Sequence, residues 1–268
     1  MNAAQAQVAS DRFEYLDESP DDSVVMDGRP FGRQSFGRLP FARQPFARRP
    51  VRTMSRVGTA SRLGSRREPV VRAIDFTVAL VALALFAPLM LLIALAIRIL
   101  DPGPVFFAHR RMGRNGGTFR CLKFRTMVVD AEARLQEYLA ADPEAMREWQ
   151  LDHKLRRDPR ITPLGNFLRR SSLDELPQLF NVLMGQMSLV GPRPIVAAEA
   201  QRYGRYFAHY CDVRPGMTGL WQVSGRNDVS YRRRVAMDVA YCRTKSVTLY
   251  LWIIVRTVPA VLAPKGSY

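Results

Sequence analysis

Apolar positions along the chain form one long block, a middle of short alternating runs, and a shorter final block. Phe76 to Ile97 is 22 residues without a charge, bracketed by Asp75 and Arg98. As a straight helix it would run about 33 Å, enough to span a bilayer. Pro88 lies at its centre, so a kink is expected near Ala87-Pro88. Arg66, Arg67 and Arg72 precede the block, and Arg98, Arg110, Arg111 and Arg114 follow it. Positive charge stays on the cytoplasmic side of a membrane, so neither flank is a candidate for export. A helix broken at Pro88 that enters one leaflet and returns satisfies both flanks. On charge alone a kinked spanning helix stands level with it.

Asp101-Pro102-Gly103-Pro104 ends the first helix. Residues 105–108 and 119–124 then read as short strands around the glycine-rich turn Gly113 to Gly117. Helices are expected over Asp130–Gln150, Ser172–Met184, Val196–Asp212 and Val229–Cys242, with a glycine-rich loop from Arg214 to Asn227. The third of these would carry Tyr203, Tyr206, Phe207 and Tyr210 on one side. The final apolar block, Val247 to Pro264, holds Arg256 in its middle. A mid-helix arginine disfavours spanning, so this block reads as a helix in the membrane interface with Arg256 reaching to phosphates. The fold class is α/β and helix-rich. No regular strand–helix alternation supports a doubly wound sheet.

Charge changes the picture at the N-terminus. The chain has 268 residues and a formal net charge of +16. Seven acids and one arginine lie between Met1 and Asp27, whereas twelve arginines and one acid lie between Gly28 and Arg72. Apolar residues are sparse there, so residues 1–68 read as a disordered basic tail. Within it Phe31, Phe36, Phe41 and Phe46 recur every five residues, a period of neither helix nor strand. The repeat reads first as a low-complexity linker and second as a membrane-surface tether. Residues 69–100 form the membrane segment, and residues 101–268 a cytoplasmic domain with membrane-surface helices. The positive charge sits beside an apolar segment and not over a folded face, which favours membrane lipids over nucleic acid as partner. Cys121, Cys211 and Cys242 lack metal or redox-pair spacing and read as reduced thiols.

The candidate chemistry centres on Leu168 to Gln178. Ser172 and Glu175 have capping-box spacing, and Asp174 would complement a helix dipole. On that ground alone structure comes ahead of catalysis. Yet Asp174 and Glu175 are adjacent at a helix mouth, and Arg169, Arg170 and Arg193 crowd them. Two carboxylates among arginines suit phosphoryl transfer: one attacks phosphorus, one holds Mg²⁺, and the arginines neutralise phosphate. Arg193, between Pro192 and Pro194, is presented with little entropy to lose. Lys123 and Arg125 flank Phe124 as on a strand edge, which is equally the pattern of a solvated face. Arg214 to Asn227 offers glycines for close approach, and Trp221 or Arg226 could contact a base or sugar. His109, His153 and His209 show no ligand spacing.

Five runs occur in this order: Asp101-Pro102-Gly103-Pro104-Val105-Phe106-Phe107, Lys123 to Met127, Asp174 to Gln178, Leu189 to Pro194, and Arg214 to Asn227. With the apolar segment and its central proline, they resemble the monotopic phosphoglycosyl transferases, or bacterial sugar transferases, over Arg66 to Tyr268. The ending Pro264 to Tyr268 resembles the exopolysaccharide-initiating branch, which uses UDP-galactose or UDP-glucose. The resemblance implies a UDP-sugar:undecaprenyl-phosphate sugar-1-phosphate transferase at the bacterial inner membrane. Asp174 would attack the β-phosphate, release UMP and carry the phosphosugar to undecaprenyl phosphate. Glu175 would bind Mg²⁺. Lys123, Arg125, Arg169, Arg193, Arg214, Trp221 and Arg226 would bind substrate or phosphate. It also implies a re-entrant helix at Pro88, although Ala87 stands where the family often has serine. A non-catalytic membrane-surface scaffold of a polysaccharide assembly complex is the alternative. The sequence leaves a homo-oligomer open and does not choose between galactose and glucose.

Overall fold

The computed structural model describes residues 68–152, 155–225 and 229–262. The basic tail, its phenylalanine repeat, Arg66, Arg67, His153, Arg226, Asn227 and the Pro264–Tyr268 ending lie outside the described residues.

The apolar block forms α1, Glu68–Leu100, with Pro88 inside an uninterrupted α-helix. The segment is thus helical on both sides of Pro88. Proline removes one hydrogen bond, a loss of about 3 kcal/mol. Packing of both halves against one body offsets it. Ala79 and Leu83 sit in one cluster with Leu179, Val182 and Met187. Met90, Ile93 and Ile97 sit in a second with Phe124 and Leu168. The other faces of α1 leave Val81, Leu85, Leu91, Leu92 and Leu95 more than half exposed. Among the described residues α1 is the one helix long and apolar enough to cross a membrane.

β1 (Phe106–Met112) and β2 (Thr118–Phe124) pair antiparallel from Phe106↔Phe124 to Met112↔Thr118. The turn between them uses Asn115 at φ 60° and Gly116 at φ 73°. The expected single helix over 130–150 is two helices, α2 (Ala131–Ala141) and α3 (Pro143–Asp152). Pro143 cannot continue α2, and the Asp142 carboxylate instead accepts hydrogen bonds from the backbone N–H groups of Glu144 and Ala145. This pair has its own small core of Leu135, Leu139 and Ala145.

α4 (Pro163–Arg170) starts on a Thr162 cap, whose hydroxyl accepts from Gly165 N at 2.9 Å. The expected helix over 172–184 is corrected as well. Leu173–Glu175 is a 3-10 turn, and the α-helix, α5, covers only Gln178–Leu183. Ser172 lies in the left-handed region (φ 59°, ψ 13°) and makes no cap bond. The capping box is absent because an N-cap requires extended backbone.

β3 (Ser188–Val190) and β4 (Gly216–Thr218) pair in parallel, Ser188↔Gly216 and Val190↔Thr218. Neither strand is visible in the alternation of the sequence, because each has three residues. The helix expected over 196–212 is broken at Gly204 (φ 48°) into α6 (Ala200–Tyr203) and α7 (Phe207–Cys211), with 3-10 turns before each. Its aromatic side survives: Tyr203 and Tyr210 are buried, and Tyr206 and Phe207 pack against their cluster. The glycine-rich stretch contains α8 (Leu220–Ser224). α9 (Tyr231–Thr244) and α10 (Val247–Leu262) complete the order. α10 buries Tyr250 and Ile253 while Leu251, Trp252, Val255 and Val258 stay exposed. Arg256 stacks over Trp252 at 5.4 Å. Among the described residues the architecture is helix-rich α/β with two two-stranded sheets.

Candidate active site

β2 delivers Lys123 and the 3-10 turn delivers Asp174 and Glu175, so residues about fifty positions apart meet. Lys123 Nζ donates to Glu175 Oε1 at 2.6 Å and to Asp174 Oδ2 at 3.3 Å. Arg193 approaches Glu175 Oε1 to 4.0 Å from the other side, with its side chain half exposed. Arg193 follows β3 in the turn at Gly191–Pro194. That turn is held by backbone bonds from Gly191 N to Thr218 O (2.9 Å) and from Gly216 N to Pro192 O (2.8 Å). Arg169 reaches the site's edge from α4, where its Nε donates to Thr126 Oγ1 at 2.9 Å.

The two carboxyl groups are pushed in opposite directions. Burial raises the Asp174 carboxyl above the ordinary aspartate range, against the pull of Lys123. Burial would raise Glu175 too, but Lys123 and then Arg193 outweigh it and hold Glu175 below its ordinary value. Glu175 is thus the settled anion. Asp174 is a desolvated carboxyl poised to become a reactive one.

A small cleft, open to solvent, adjoins the pair. Its walls include Lys123, Glu175 and Arg193 together with Arg111, Gln178 and Gln222. Asp174 lies just behind this wall, buried and covered by the Lys123 contact. Gln222 Oε1 is buried in the wall without a hydrogen-bond partner, so a donor on a bound ligand would satisfy it. Cys121 also lines the cleft, and burial pushes its thiol up, away from a reactive thiolate.

For Mg²⁺ the fit is that of a cation carried in by a ligand. Among the described residues no three of His, Cys, Asp and Glu converge. One ionised carboxylate beside a second one matches the protein share of a magnesium diphosphate site, where phosphate and water complete the shell. Glu175, whose carboxylate is held below its ordinary value, would be the residue to hold it.

A family model described as bacterial sugar transferase matches residues 66–264. The chain belongs to the bacterial sugar transferase family. This transferase is 50% identical over 197 residues to the exopolysaccharide production protein ExoY of Rhizobium meliloti (strain 1021), covering 74% of the chain and 87% of the relative. It is 48% identical over 197 residues to the undecaprenyl-phosphate galactose phosphotransferase of Salmonella typhimurium (strain LT2), covering 74% of the chain and 41% of that longer relative. It is 41% identical over 206 residues to the UDP-glucose:undecaprenyl-phosphate glucose-1-phosphate transferase of Caulobacter vibrioides, covering 74% of the chain and 71% of the relative.

Within the transferase, the residues singled out in the sequence divide. Asp174, Glu175, Lys123, Arg169 and Arg193 come together. Arg125 does not: it is buried, donates to the Asp101 carbonyl, and forms an ion pair with the Asp101 carboxylate at 3.2 Å. Arg214 does not either. It donates to Glu68 Oε1 and Gly185 O, both at 2.9 Å, and so ties the start of α1 to the body. Trp221 is buried beneath the Arg234 guanidinium, 4.7 Å from its ring centre. All three make contacts within the fold and are not among the residues that line the cleft. Arg226 lies outside the described residues. The missed wall residues, Arg111, Gln178 and Gln222, carried no distinguishing spacing. Gln178 and Gln222 stood within noticed runs, but nothing there singled out either side chain.

Proposed function

We propose that this transferase moves a hexose-1-phosphate from a UDP-sugar to undecaprenyl phosphate by way of a covalent intermediate on Asp174. The observation that carries the reading is the pair Asp174–Glu175 sharing Lys123 and facing Arg193 beside an open cleft. A scaffold needs no pair of adjacent carboxyls sharing a lysine and facing an arginine at a solvent-open cleft.

When the diphosphate enters, Lys123 turns from the carboxylates to the β-phosphate, which uncovers Asp174. An Asp174 oxygen attacks the β-phosphorus, the bond from phosphorus to the bridging oxygen breaks, and UMP leaves with that oxygen. An oxygen of undecaprenyl phosphate then attacks the same phosphorus. The aspartyl–phosphorus bond breaks, Asp174 returns as a carboxylate, and undecaprenyl diphosphosugar results. Lys123, Arg169 and Arg193 stabilise the phosphate charge through both displacements. A Mg²⁺ held by Glu175 would supply further charge neutralisation on the diphosphate.

The exopolysaccharide name of one relative supports a place at the first membrane step of such a pathway. Relatives named for galactose and for glucose support a hexose and leave the choice to experiment. We place α1 in the cytoplasmic leaflet of the inner membrane as a re-entrant segment. Support comes from its two ends. Arg72 near one end donates to Val182 O and Leu183 O, and Asp101 past the other end bonds Arg125. Both ends hold the same body, as a straight crossing would not allow.

The test uses the full chain in nanodiscs with Mg²⁺, undecaprenyl phosphate and radiolabelled UDP-galactose or UDP-glucose. Wild type should label lipid and release UMP, and Asp174→Asn should do neither. Full activity in Asp174→Asn would refute the nucleophile. Release of UDP in place of UMP would refute phosphosugar transfer altogether.

A further inference from the structure

β2 has a strand on one side only. β1 uses alternate backbone groups of β2, and the groups between them point off the free edge. Buried groups of this kind need partners. Two of them find one in the side chain of Asn181, which lies on α5 and is 0% exposed. Asn181 Oδ1 accepts from Leu122 N at 2.9 Å, and its Nδ2 donates to Arg120 O at 2.8 Å. The second Nδ2 hydrogen goes to Gln186 Oε1 at 2.7 Å. The amide therefore works as a single-residue strand, supplying one donor and one acceptor to β2.

The position of this clip in the chain gives it a consequence for chemistry. Lys123 follows Leu122 directly, and α5 begins three residues after Glu175. Asn181 thus ties the strand that carries the cation to the segment that carries both carboxylates. We propose that Asn181 is a positioning residue for the transfer reaction, setting the distance between Lys123 and the Asp174–Glu175 pair. The proposal rests on the reading of those three as the reacting groups.

Few other side chains could do this. Aspartate would set an oxygen against the Arg120 carbonyl. Leucine, of similar size, would leave Leu122 N and Arg120 O without partners. Either change lets β2 shift against α5, and a displacement of about 1 Å at a reacting group can reduce rate by about a hundredfold. The loss should fall mainly on kcat, because Asn181 itself does not line the cleft.

The experiment uses the full chain in nanodiscs, with UMP release read over a range of UDP-sugar concentrations. Variants are Asn181→Leu, Asn181→Ser, Lys123→Met and the double variant Asn181→Leu/Lys123→Met. Leu139→Ala, in the separate core of α2 and α3, serves as a control for lost stability. We expect Asn181→Leu to lower kcat roughly 10- to 100-fold with KM within about threefold. Asn181→Ser, which can restore one bond, should fall between it and wild type. In the Lys123→Met background the same leucine should change kcat by less than about threefold, because the residue through which Asn181 acts is gone. Multiplicative losses in the double variant would overturn the proposal. So would an equal kcat loss in Leu139→Ala at the same apparent Tm. If Asn181→Leu does not fold, Asn181→Ser carries the same comparison. Should wild type release no UMP, the functional reading fails by itself. The cycle is then read in apparent Tm, where Asn181 and Lys123 must still be coupled for the clip to stand.

Discussion

Asp75 is the first place to perturb the docking of the membrane helix. It lies on α1 at 1% exposure, and a single oxygen, Oδ1, takes three donors. These are Leu189 N at 2.7 Å, Ser188 Oγ at 3.0 Å and the Tyr250 hydroxyl. The first two belong to β3 and the third to α10, so one carboxylate joins three elements. Asp75→Ala leaves Leu189 N and at least one of the two hydroxyls buried without an acceptor, since Ser188 Oγ and the Tyr250 hydroxyl, 3.5 Å apart, can still bond each other. At about 1–3 kcal/mol for each orphaned group, with some relaxation, the loss should be about 3–6 kcal/mol. Asp75→Asn keeps an oxygen in the same place and should lose about 1 kcal/mol. For an ordered body of this size each kcal/mol moves Tm by about 2–4 °C. The alanine variant should thus melt roughly 6–20 °C below wild type and the asparagine variant only a few degrees below. Tryptophan fluorescence on heating in one detergent, at one scan rate, measures both. Equal losses for Ala and Asn would refute the reasoning, because charge and not the three hydrogen bonds would then hold the helix.

Asp174→Asn should stabilise the protein while it abolishes turnover. The folded pKa of Asp174 is raised, so its contribution to stability is full at low pH and is lost as pH rises through that pKa. At pH 7.5 the variant should melt about 2–4 °C higher, and the gap should close on acidification. Asp238 on α9 is buried at 2% exposure, bonds the Tyr203 hydroxyl at 2.8 Å, and has its carboxyl pushed up to about 7 by burial. Wild-type stability from this group should fall between pH 4 and 7, and Asp238→Asn should flatten that slope in melting curves. An unchanged slope would remove Asp238 as its cause. Gly216→Ala would drive a methyl group into the backbone of Gly191 and Thr218. Parting β3 from β4 should loosen the Arg193 turn and cut UMP release at least tenfold, whereas near-normal activity would show that the turn does not depend on that pairing.

Much of the transferase was legible in local pattern. The 22-residue apolar block specified α1, the glycine-rich turn specified the β1–β2 hairpin, and the crowding of arginines about Asp174 and Glu175 pointed to the pair that the fold brings against Lys123 and Arg193. Those signals are strong because each lies within a few turns or one hairpin. Tertiary structure decided what no local window contains. Ser172 and Glu175 had the spacing of a cap, yet Glu175 bonds Lys123 because strand β2 lies beside it, and Ser172 takes a left-handed turn instead. Arg125, Arg214 and Trp221 stand in the right motifs and face the wrong way, each held by a partner far along the chain or on another helix. Pro88, a helix breaker in isolation, stays helical because both halves of α1 bury side chains on the same body. Residue type and spacing determined which chemistry was available. Which of those side chains reach the cleft was set by long-range packing, whose energy depends on neighbours that a sequence window does not hold.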